Sequence, residues 1–145
     1  MKAVIQRVKK TTLRVDGKLI SEIPFGLAVY LGVKCGDSKA QAELIAKKIS
    51  KLRIFEDGDG KMNLSVADVG GEILLISQFT LYGDCSHGNR PSFTEAERPE
   101  PANLLYEYTA EKLRELGMRV KTGVFGADMK IEQLNDGPVT IIYEI

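Results

Sequence analysis

Ser77, Gln78, Phe79, Thr80 and Leu81 follow the apolar run Ile73-Leu74-Leu75-Ile76, so hydroxyls, an amide and a ring emerge where a buried strand turns polar. Hydroxyls can serve as nucleophiles, and a glutamine amide with free backbone N–H groups at a strand end can stabilise an oxyanion. Alternation along an extended chain sets Ser77 and Phe79 on one face, Gln78 and Thr80 on the other. A nucleophilic hydroxyl needs a base, and the chain has one histidine, His87. A Ser-His-Asp arrangement would have to use it, and zinc sites built on several histidines are impossible. Taken alone, the segment favours the plainer reading that its polar side chains complete hydrogen bonds at a strand terminus.

Three further groupings carry possible chemistry. Cys85-Ser86-His87 places a thiol near the histidine, but residues so close in sequence rarely aim at each other, and a surface histidine is the better reading. Asp57-Gly58-Asp59-Gly60 looks like a calcium loop until it is counted: the twelfth position holds Asp68 rather than glutamate and the glycine is out of register, so it is read as a turn. Asn135-Asp136-Gly137-Pro138 is also a turn by composition. A Gly-Pro bond can be cis at low cost, and a rigid turn presents two carbonyls that suit recognition of an amine by acceptors alone. GxGxxG, GxxxxGK and HExxH patterns are absent, so nucleotide-cofactor and metalloprotease readings have no local support.

The elements that must position these residues follow from pattern. Residues 2–8, 11–15, 18–23 and 26–32 read as four strands before any helix, with Asp16-Gly17 as a two-residue type I′ hairpin turn. Asp37 and Ser38 offer N-cap oxygens for a helix whose apolar positions Ala42, Leu44, Ile45, Ile49 and Leu52 recur as far as Arg53. A brief strand at 53–55, a turn and a buried strand at 72–77 come next. Residues 83–98 form a long polar loop, a lid or binding loop. Pro99 or Pro101 opens a second helix, with Leu104, Leu105, Tyr108, Leu113 and Leu116 on its apolar face and Gly117 at its end. Strands at 118–122, 128–134 and 139–145 complete a β-rich α/β domain whose two helices cover a sheet face.

The 145 residues suit one domain, 1–145, and the apolar fraction of 43% and charged fraction of 28% are those of an ordinary soluble protein. Two cysteines in no metal-ligand spacing read as reduced thiols. Met1–Val8 lacks the apolar stretch of a signal peptide, and no run nears the roughly 18 apolar residues of a membrane span, so a cytoplasmic protein without a membrane partner is expected. A net charge of zero argues against a protein that coats nucleic acid, though not against nucleic acid at one end. Lys47, Lys48, Lys51 and Arg53 form a local cationic cluster that reads first as a solvated helix face.

Gln6-Arg7-Val8, Arg53-Ile54-Phe55, Gly60-Lys61-Met62-Asn63, Ser77-Gln78-Phe79-Thr80-Leu81, Arg90-Pro91-Ser92-Phe93, Ala127-Asp128-Met129 and Asn135-Asp136-Gly137-Pro138-Val139-Thr140 together resemble the D-aminoacyl-tRNA deacylases, also called D-tyrosyl-tRNA deacylases, nearly end to end. The resemblance implies a homodimeric, cofactor-independent enzyme of three-layer β/β/α build. Such enzymes cleave the ester between a D-amino acid and the tRNA 3′-terminal ribose, and take glycyl-tRNA too. It further implies that Gly137-Pro138 enters the partner subunit's pocket, where its carbonyls hold the substrate amine and an L side chain would clash. Arg7 would brace that element, Met129 would join the substrate-binding set, and Ser77, Gln78 and Phe79 would line the pocket with donors near the oxyanion. Thr80 would act as nucleophile, or the ribose 2′-OH would activate water; the missing base favours the second. Two other classes remain open: a non-catalytic binder of tRNA 3′ ends, and a small-ester hydrolase using Thr80 or Cys85.

Overall fold

The computed structural model describes all 145 residues. Its hub is β1 (Lys2–Val15), one continuous strand where alternation suggested two. Strands β2 (Lys18–Ile23) and β3 (Gly26–Gly32) follow, and β8 (Met129–Glu144) runs antiparallel along the whole of β1. The break in alternation at Lys9-Lys10 is a bulge, because Val8 pairs with Asn135 and Lys10 with Leu134 while Lys9 has no partner between them. β8 likewise joins the two strands expected at 128–134 and 139–145. Asp16 and Gly17 have φ of 49° and 76°, as the type I′ turn between β1 and β2 requires.

Helix α1 (Lys39–Lys51) begins at a capping box in which the Ser38 side chain accepts from the backbone and Gln41 reaches back to the cap. Two short strands, β4 (Phe55–Glu56) and β5 (Met62–Leu64), flank the turn at 57–60; the brief strand starts at Phe55 rather than Arg53. Asp57 serves that turn, accepting from Asn63 Nδ2 and the Asp59 and Lys61 amides, and these bonds, the Asn63 one foremost, hold its carboxyl below the usual range. Strand β6 (Glu72–Ser77) lies parallel to β3, helix α2 (Pro99–Glu115) crosses back, and β7 (Arg119–Thr122) lies parallel to β6. The main sheet has the order β2-β1-β3-β6-β7, with β8 on β1.

Two cores define the layers. Ala3, Ile5, Leu27, Val29, Leu31, Ile73 and Leu75 meet Ala42, Ile45, Ile49, Ala102, Tyr106 and Leu113 of the two helices. On the opposite face, Ala28, Leu74 and Ile76 meet Val8, Leu13 and Ile23, with Met129 and Ile131 packed against them. The far half of β1, with β2 and the start of β8, therefore folds over the central strands as a second β layer. The result is a β/β/α stack in which helices cover one face. Gly26 lets β3 start hard against β6: a Cβ there would lie 1.9 Å from the Glu72 carbonyl oxygen, and its φ is +138°. No helix is long and apolar enough to cross a membrane.

Candidate active site

A cleft of about 580 Å³ opens at the carboxyl ends of parallel strands β3 and β6, the edge where α/β sheets commonly bind ligands. Ser77 and Gln78 form its wall because β6 ends there, with Ser77 opposite Leu31 and the Gln78 amide donating to the Leu31 carbonyl at 2.8 Å. Past Gln78 the chain does not stay extended. Phe79–Tyr82 is a 3₁₀ turn, closed by Leu81 N–H to the Gln78 carbonyl and Gly83 N–H to the Thr80 carbonyl, so the alternation expected through Thr80 ends at Gln78. The first amides of a helical turn have no acceptor within it. Phe79 and Thr80 N–H accordingly have no backbone partner.

Phe79 lines the cleft although 57% exposed, standing edge-on to Phe93 with ring centroids 5.1 Å apart. Phe93 is delivered by the 83–98 loop, which is fastened rather than loose: Asp84 and Ser92 exchange two backbone bonds of 2.8 Å, and Cys35 and Glu97 amides donate across to Glu95 and Val33 carbonyls. His87 and Cys85 are exposed at its tip and do not line the cleft. Tyr106 of α2, Phe125 and Met129 close the back. The Tyr106 hydroxyl donates to the Leu75 carbonyl at 2.8 Å, and burial pushes its pKa up to about 12. Thr80 stands outside the lining; its hydroxyl accepts from Gln78 Nε2, and no histidine, lysine or carboxylate is hydrogen-bonded to it. Tyr106 and Phe125 carried no motif signal, since distant elements deliver them.

Arg7, Gly137 and Pro138 lie elsewhere. Residues 136–139 have no ladder partners between the pairs Val8–Asn135 and Gln6–Thr140, so four residues of β8 stand opposite Arg7 alone. Gly137 and Pro138 are exposed at the crest, their peptide bond is cis, and Val139 is buried in the helix-side core. Arg7 is 6% exposed and holds the crest from beneath: Nε meets the Asp136 carbonyl and carboxylate, each at 3.2 Å, and Nη1 donates to the Ile54 carbonyl at 2.8 Å. Along β1, Arg7 pairs with Leu27 whereas the cleft residue Leu31 pairs with Ala3. Four residues of strand separate them, about 13 Å. One chain does not bring its crest to its own cleft.

Residues 4–144 match the family model described as D-Tyr-tRNA(Tyr) deacylase. The chain belongs to that family. A relative from Geotalea daltonii named D-aminoacyl-tRNA deacylase is 56% identical over 144 residues, covering 99% of this chain and 96% of that protein. Among solved structures, a c-Myc DNA unwinding element binding protein superposes with a TM-score of 0.94 at 43% identity, covering 100% of this chain and 99% of that one. A probable eukaryotic D-amino acid tRNA deacylase shares the fold, with a TM-score of 0.85 at 17% identity over 99% and 98% of the two chains. Deacylase-family membership thus covers both the cleft and the crest.

Proposed function

We propose that this chain hydrolyses the ester of D-aminoacyl-tRNA, and that it does so as a homodimer in which each crest closes the other chain's cleft. The observation that carries this reading is the separation just described: Arg7 beneath the crest and Ala3, paired with the cleft residue Leu31, lie about 13 Å apart along β1, and neither Gly137 nor Pro138 lines the cleft. A second copy supplies the missing wall. Gly137 and Pro138 carbonyls would then accept from the substrate ammonium, and an L side chain would meet fixed backbone, so selectivity comes from exclusion. Ser77, Gln78, Phe79 and Met129 bind the aminoacyl end, with the Phe79 and Thr80 N–H groups, which have no backbone partner, available to the developing oxyanion.

Thr80 accepts a hydrogen bond from Gln78 and has no base beside it. The reading that follows is that the ribose 2′-OH activates the attacking water, while the protein positions the ester and stabilises charge. Glycyl-tRNA, which has no side chain to exclude, is expected to be cleaved as well. The setting is translation proofreading in the cytoplasm.

The test offers D-tyrosyl-tRNA and L-tyrosyl-tRNA side by side and measures released tyrosine. Turnover of the D ester alone is expected; equal rates on both, or turnover of neither, would overturn the reading. Sedimentation is expected to give a dimer, and a monomer at working concentration would remove the shared site.

A further inference from the structure

Binding a polyanion takes cations, and the cleft has none. Its lining includes Glu97 and Asp128 but no lysine, arginine or histidine. Elsewhere on the chain Lys2, Lys9, Lys10, Lys34, Lys112, Lys121 and Lys130 each lie within 4 Å of a carboxylate, while Lys18, Lys39 and Lys61 form no such pair but are scattered singly. Lys47, Lys48 and Lys51, in the last turns of α1, form no such pair, and all three are exposed. Their spacing puts Lys47 and Lys51, and Lys48 and Lys51, on one helix edge. Glu43, one turn before Lys47, is hydrogen-bonded by the Tyr108 hydroxyl at 2.6 Å. Lys48 is held over the Tyr143 ring, 5.2 Å from its centroid. Arg53, at the same helix end, has its charge felt by Asp68 and is left out of the set.

The position of this edge matters more than its charge. Helix α1 starts beside Asp37, which the Met1 ammonium binds at 2.9 Å close to the Ala3–Leu31 pair, and it ends just before Ile54, whose carbonyl is held by the arginine that holds the crest. Lys47, Lys48 and Lys51 therefore lie in the half of α1 that is nearer the crest than their own chain's cleft.

We propose that Lys47, Lys48 and Lys51 of one chain bind the phosphate backbone of the tRNA whose 3′ ester lies in the partner's cleft. This rests on the crossed-dimer reading above, which brings crest and lysines together to the rim of the opposite cleft. Exposed charges act over roughly a Debye length, about 8 Å at physiological salt, so the lysines act on the RNA phosphates that pass the rim they flank. Each subunit then supplies both the stereochemical wall and the RNA clamp for its neighbour.

The test is the triple variant K47Q/K48Q/K51Q, assayed with D-tyrosyl-tRNA and with 3′-O-D-tyrosyl-adenosine, which has no phosphates. The expected result is a KM for the tRNA raised at least about tenfold, and a log–log salt dependence shallower by about 2, from roughly 0.7 per lost single-strand phosphate contact. Kinetics on the adenosine ester are expected to hold. An unchanged salt slope, or equal loss on both substrates, would overturn the proposal. Uncharged tRNA titrated onto wild type and variant gives a readout independent of turnover, so failure of the hydrolysis reading is told apart from failure of the clamp. A mixed dimer of the triple variant with Gly137→Ala decides between subunits. If the lysines act across the interface, no site has both an intact crest and intact lysines, and tRNA turnover stays weak; a site with normal KM would show that they act within their own chain.

Discussion

The segments at 77–81 and 136–139 both interrupt a strand, and they do so in opposite ways. At Gln78 the chain stops pairing and curls into a 3₁₀ turn, which exposes side chains and a few amides at the mouth of a cleft. At Asp136 the chain stays in the sheet and lifts four residues out of the ladder, which exposes backbone over a buried arginine. The first site tolerates adjustment, because Phe79 and Thr80 face solvent. The second does not, because Arg7 ties the crest to β1 and to the segment after α1 at once. The proposed function uses this difference: the rigid site excludes one enantiomer, while the adaptable one serves for general grip.

Substitutions on the two segments sharpen this contrast. Gly137→Ala is expected to have the largest effect, since Gly137 has φ of +122° and a Cβ there would lie 2.8 Å from Val139 Cγ2 and 3.1 Å from Arg7 Nη2. A displaced crest is expected to lower kcat/KM on D-tyrosyl-tRNA by about a hundredfold, the scale of an ångström misplacement, with the circular dichroism spectrum unchanged. Arg7→Ala strips the brace and leaves the Ile54 carbonyl and Asp136 without their buried partner. Denaturant titration should show a loss of about 3 kcal/mol, with discrimination between D and L esters eroding in the same variant.

On the adaptable side, Phe79→Ala removes an edge-to-face contact worth about 1 kcal/mol, so KM should rise about fivefold with kcat little altered. Thr80→Ala is expected to change kcat by less than about threefold, judged against the tenfold that 1.4 kcal/mol would bring. Complete loss of turnover with binding and fold retained would make the hydroxyl the nucleophile and erase the contrast. The smallest effect at neutral pH belongs to Tyr106. Its folded pKa of about 12 exceeds the unfolded value near 10, so the contribution of its neutral form is complete below pH 10 and is lost as pH rises from 10 to 12. Thermal melts should be flat in this respect from pH 7 to 9 and fall above 10. Tyr106→Phe should shallow that fall, at about 1 kcal/mol for the lost hydrogen bond to Leu75.

Local chemistry was legible in the sequence. Ser38, one of the two cap residues read, caps α1, Asp16-Gly17 turns between β1 and β2, and β6 spans residues 72–77, all from short-range pattern. Continuity was not legible. Lys9-Lys10 and Asp136–Val139 break alternation as loops do, and only the long β1–β8 ladder makes them bulges within strands. The turn at Phe79–Tyr82 escaped for a related reason, since period-two extrapolation has no means of announcing where pairing stops. Ser77, Gln78, Phe79 and Met129 line one cleft in the structure, but the Tyr106 and Phe125 wall opposite depends on α2 and the β7–β8 connection meeting β6, which no local pattern encodes.

The ladder between β1 and β8 joins the two ends of the chain, from Lys2 with Glu144 to Val15 with Met129. Contacts of such separation form late and slow folding, because a long loop must close before they contribute. The second β layer, the buried arginine's partners and the crest all depend on that closure. A chain still being synthesised, with residues 129–144 not yet made, thus has β1 unpaired on one edge and nothing over Arg7. On the proposed crossed-dimer reading, selectivity for one hand of the substrate arrives with the last strand, in one step with the completion of the fold.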